Sequence, residues 1–203
     1  MSSITKKSVA PLCKQIASEY EGWQYAGERF SNKTLKHSIL YIDPLWSFTL
    51  SAQPVVMLVN KKANKLSLQI DDEKEMWISK KTVLRPDATL ETQVYRKFVH
   101  TMREAEVYIR DFFKRGLNII QQYYHWQDEE ELLTNMPMNL EGFVGIGYCL
   151  SRIILHDFDF VRSYVNDEIK TITPKSTSIH EIKKMLPVWE KNYLETGSVF
   201  GKK

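Results

Sequence analysis

Cysteine is nearly absent: Cys13 and Cys149 are the two in 203 residues, and they lie far apart. That spacing excludes a disulfide framework and a zinc box. Glycine (8) and proline (7) are too few for a collagenous or linker-like chain. No apolar run approaches the roughly 20 residues that a membrane span requires. The opening stretch MSSITKKSVAPLCKQ carries charge but no apolar h-region, so it does not read as a signal peptide. Together these absences set the expectation of a cytoplasmic protein in a reducing compartment, with no membrane partner.

What is present is ordinary for a globular chain: 43% hydrophobic and 26% charged residues, which excludes disorder throughout. The length fits a single domain over 1–203, with a helix and β-meander in 1–85 and a helical part in 86–203. The net charge of +3 hides segregation. Residues 1–115 carry 19 Lys/Arg against 13 Asp/Glu, residues 116–169 carry 2 against 9, and residues 170–203 carry 7 against 3. Either one face of the fold gathers a field that steers an oppositely charged partner, or acidic and basic elements pack together and cancel.

Residues 5–20 place Val9, Leu12, Cys13, Ile16 and Tyr20 on one helical face, with Gly22 ending the helix. The period then becomes two. Trp23 and Tyr25 alternate, as do Leu35, His37, Ile39 and Tyr41, and then Trp46, Phe48 and Leu50. Val55 to Val59 is a continuous apolar run, Asn60 to Asn64 looks like a turn, and Leu66, Leu68 and Ile70 alternate after it. Residues 22–80 are therefore predicted to form a meander of four or five antiparallel strands. From Thr89 the helical period returns over 89–115, with Gly116 as the break. Asp128 to Glu131 opens a short helix stopped by Pro137, Phe143 to Ile154 forms a buried one, and Asp157 caps the next. Ser178 caps the last, in which Pro187 is expected to make a kink or a new start. The fold class is α+β, with helices against a sheet. Phe98, Ala105, Phe112, Ile146, Leu150, Ile153, Phe158 and Val161 are the expected core of the helical part.

Chemistry-bearing patterns are sparse. Gly142, Gly145 and Gly147 lack the preceding strand and third glycine of a dinucleotide fingerprint, and close helix packing explains them better. His156 and Asp159 share a helical spacing but find no further metal ligand nearby, and Asp157 reads more simply as a cap. Cys149 lies in an apolar segment, where a cysteine is an inert small hydrophobe. The histidines His37, His100, His125, His156 and His180 form no cluster, and Glu104 and Glu106 lie on different sides of their helix. No cofactor and no catalytic residue is expected.

The aromatics say more. Tyr123, Tyr124 and Trp126 stand directly before Asp128, Glu129, Glu130 and Glu131. Tyr and Trp beside charge of one sign is a common composition for a protein-binding surface, and these seven residues are the candidate partner site. The alternative is that the rings fill a seam between helices. Trp23, Tyr25 and Trp46, with Lys33, Lys36, Lys61, Lys62 and Lys65 nearby, invite a nucleic-acid reading, but no recognition motif or dense basic run accompanies them.

The layout also resembles a known family. An N-terminal helix followed by Gly22-Trp23-x-Tyr25-x-Gly27-x-x-Phe30 is similar to the opening of small bacterial proteins of the DUF4304 type. The run from Phe112 through Gly116 and Leu117 to Leu132 and Leu133 resembles the segment in which their long helix ends and a short acidic helix follows, with Asn118 where proline is usual. Gly147 to Val165 resembles their helical hairpin, with Ser151 at its small-residue position and Asp157-Phe158-Asp159-Phe160 at the turn. Members often lie beside polymorphic toxin genes. The resemblance implies an immunity protein that neutralises a cognate toxin domain by direct binding, without catalysis. Two other readings stand beside it: a hydrolase that reverses a toxin's modification, and a nucleic-acid-binding regulator.

Overall fold

The computed structural model describes residues 4–43, 50–51, 54–71, 76–82, 96–97, 99–172 and 174–202. The fold is α+β: an N-terminal helix, an antiparallel meander, and a mostly helical remainder. Five strands form one sheet in the order β1-β2-β3-β5-β6, namely β1 (Trp23–Ala26), β2 (Arg29–Asn32), β3 (Ser38–Asp43), β5 (Val55–Asn60) and β6 (Trp77–Lys81). Two short strands, β4 (Leu50–Ser51) and β7 (Arg96–Lys97), pair antiparallel with each other. The chain divides into two compact units, residues 1–57 with 81–126 and residues 58–80 with 127–203. Each unit thus takes two separate stretches of sequence.

In the first unit, helix α1 (Lys6–Ser18) starts at Thr5, whose hydroxyl accepts from the Ser8 N–H while the Ser8 side chain accepts from the Thr5 N–H. This reciprocal pair satisfies two donors that a helix start leaves open. Val9, Cys13, Ile16 and Ala17 are buried along its inner face. The β1–β2 hairpin turns through Gly27 (φ 58°) and Glu28 (φ 65°). Two consecutive positive φ values match the twist of the flanking strands, so the tight turn fixes the register Ala26↔Arg29 through Trp23↔Asn32. Strand β3 buries Ser38, Leu40 and Ile42 and leaves Ile39 and Tyr41 half-buried, the opposite parity to the Leu35–Tyr41 alternation in the sequence.

Helix α3 (Met102–Tyr123) corrects the expected 89–115 helix at both ends. Thr101 caps it, accepting from the Glu104 N–H, so the helix cannot begin earlier. Arg96 and Lys97 are extended in β7, and Phe98 lies outside the described residues, as do Trp46, Phe48 and Thr89. Gly116 is no break. It sits inside α3, where a Cβ would fall 2.6 Å from Ile42 Cγ2, so its role is close approach to β3. The Phe113 ring gathers the unit's aromatic core, with Phe30 at 4.5 Å and Tyr20 and Trp23 edge-on at 5.1 and 5.2 Å. Arg110 ties α3 to the end of α1 through Glu19 at 2.5 and 2.9 Å.

In the second unit, the expected turn at Asn60–Asn64 and strand at Leu66–Ile70 are instead helix α2 (Lys61–Ser67). The Asn60 side chain accepts from the N–H groups of Lys62 and Ala63, which starts the helix. Ala63, Leu66 and Ser67 are buried, a helical spacing, whereas Leu68 is 55% exposed. Helices α4 (Glu129–Asn135), α5 (Gly142–Ile154), α6 (Phe158–Val165) and α7 (Ile179–Thr196) follow. Helix α5 presses on backbone. A Cβ at Gly147 would fall 2.2 Å from the Trp77 carbonyl oxygen of β6, and one at Gly145 would fall 2.4 Å from that of Leu140. Gly145 and Gly147 of the glycine-rich run are therefore packing devices, whereas Gly142 (φ 52°) has no neighbour within 4 Å of a Cβ. Ala105, Phe112, Ile146, Leu150, Ile153, Phe158 and Val161 are all buried, as the helical register requires. Helix α7 runs through Pro187 as one element, and its Trp189 is fully buried with the indole N–H donating to Gln69 at 2.7 Å. No helix among the described residues is long and apolar enough to cross a membrane.

Candidate functional site

The four acids Asp128–Glu131 form the start of α4. Asp128 is the cap, its carboxylate accepting from the N–H groups of Glu130 and Glu131 at 2.9 Å each. The three glutamates occupy the first turn, at the positive end of the helix. Leu132 and Leu133 anchor the next turn in the core, which fixes the acidic turn at the surface. Asp128, Glu130 and Glu131 are exposed and Glu129 is half-exposed.

The three aromatics of the candidate site end the first unit, whereas the acids belong to the second. Tyr124 is buried at 3% exposure. Tyr123 is half-buried, with the Lys81 ammonium 4.4 Å from its ring centroid. Trp126 is half-exposed. Tyr124 is therefore the member of the set that is closed off, while Tyr123, Trp126 and the acids keep some exposure.

Other acids of the 116–169 stretch are engaged by basic side chains of their own unit. Asp157 binds Arg152 at 2.7 Å, Asp159 binds Arg162, and Asp167 binds Lys175 at 2.8 Å. Arg162 also reaches Glu190 at 2.8 Å. The Lys175 ammonium holds the Asp167 carboxyl below the usual carboxylate range. The second unit has 14 Lys/Arg against 16 Asp/Glu and the first has 14 against 9, so folding evens out much of the linear segregation. Among the described residues of the 116–169 stretch, Asp128, Glu130 and Glu131 stay exposed at the start of α4.

The remaining candidates are structural. Cys149 is fully buried, and burial pushes its thiol well above the ordinary range. Cys13 is likewise buried, its thiol pushed up to about 12. His156 (φ 62°) stacks on Tyr193 at 3.8 Å, while Asp157 caps α6 by accepting from the Phe160 N–H. Among the described residues no group of three or more His, Cys, Asp or Glu is placed to hold a metal ion. Trp23 and Tyr25 pack on Phe113 and Phe30, so neither stands free as a stacking platform. Sequence reasoning missed the Lys175 cluster, because Lys175 lies in a polar loop with no periodicity to mark it. No family model, no curated protein and no solved structure matches the chain.

Proposed function

We propose that this chain works by binding another protein, and that the partner presents a basic surface. The observation that supports this reading is the acidic turn at the start of α4, where Asp128, Glu130 and Glu131 are exposed and Glu129 is half-exposed. Surface acids of this kind act mainly on encounter, raising the association rate and making it salt-dependent. Trp126, next to them in sequence, is a partly exposed ring that can anchor such a complex. The resemblance to proteins of the DUF4304 type implies a cognate toxin domain as the partner, which on this reading is neutralised in the cytoplasm by occupation rather than by chemistry.

The test is a stoichiometric titration with the partner encoded beside this chain, followed by stopped-flow kinetics. Replacing Glu129, Glu130 and Glu131 with Lys slows association and flattens its dependence on salt, with the circular dichroism unchanged. Trp126→Ala instead speeds dissociation, by an amount worth about 2 kcal/mol. Equal kinetics for both variants place the interface elsewhere. Turnover of a substrate by the purified chain, or a salt-dependent shift of DNA, sinks the binding reading and favours a hydrolase or a regulator.

A further inference from the structure

We draw no further inference here: the strongest candidate, the exposed His156 ring stacked on Tyr193 at the turn between α5 and α6, is acted on by Lys62 and Glu130 with opposite sign, so charge complementarity selects no occupant and nothing in the structure shows what covers it.

Discussion

Gly116 and His156 illustrate how much single residues decide in this molecule. At Gly116 a methyl group would meet three atoms of Ile42 between 2.6 and 2.9 Å. Gly116→Ala gains helix propensity of about 1 kcal/mol but overpacks the contact with β3, at a cost of about 1–3 kcal/mol. The net expectation is a loss of stability in urea denaturation, partly recovered by adding Ile42→Val, which removes one of the clashing methyl groups. His156 offers a titration. Partial desolvation of its otherwise exposed ring, with Lys62 near it, lowers its pKa, and Glu130 opposes this more weakly. The neutral ring is therefore the form the fold prefers. Its contribution to stability is complete above the unfolded value of about 6.5 and is lost as pH falls through the lower folded value. Relative to His156→Gln, the parent protein should lose stability on going from pH 8 to pH 5. An imidazole titrating above its unfolded value by NMR would reverse the sign.

Among the elements, α2 shows where a sequence pattern misleads. Leu66, Leu68 and Ile70 obey a period of two, yet Ala63, Leu66 and Ser67 are the buried set. What decides between strand and helix is Asn60, fully buried at the end of β5, whose side chain caps the first turn. Asn60→Ala removes both capping bonds and is expected to cost about 1–2 kcal/mol, read as a lower midpoint in chemical denaturation, while Asn60→Asp retains most of the stability. The long α3, buried α5 and capped α4 and α6 were legible in the sequence because their apolar spacing extends over several turns or a cap marks their start. The parity of β3 was not, because Ile39 and Tyr41 are as apolar as Leu40 and Ile42, and only packing against α3 chooses between the faces. The start of α3 was hidden because Val94 and Phe98 continue its apolar period past the Thr101 cap. Of the candidate site, the exposed acidic turn was legible from charge alone. That Tyr124 is buried was not, since a tyrosine suits a core and a surface equally.

At the scale of the whole molecule, the chain leaves its first unit after Met57, contributes 58–80 to the second, returns at Lys81, and crosses finally after Trp126. That route bears on the birth of the protein. On the ribosome, the first unit has all its residues only once the chain has passed Trp126. By then residues 58–80 have long since emerged, with Leu58, Val59, Ala63, Leu66, Met76 and Ile78 destined for burial and the helices that meet this stretch, α5 through Gly147 and α7 through Trp189, not yet made. A chain stopped at residue 126 is therefore expected to carry this apolar stretch uncovered, to bind a hydrophobic dye and to aggregate, whereas the full chain does neither. If the 1–126 fragment proves monomeric and dye-silent, the uncovered stretch has found a cover within the fragment. A synthesis that pauses before residues 127–203 are made would leave the same surface waiting, which makes the translation of that stretch the interval in which this apolar segment most needs a chaperone.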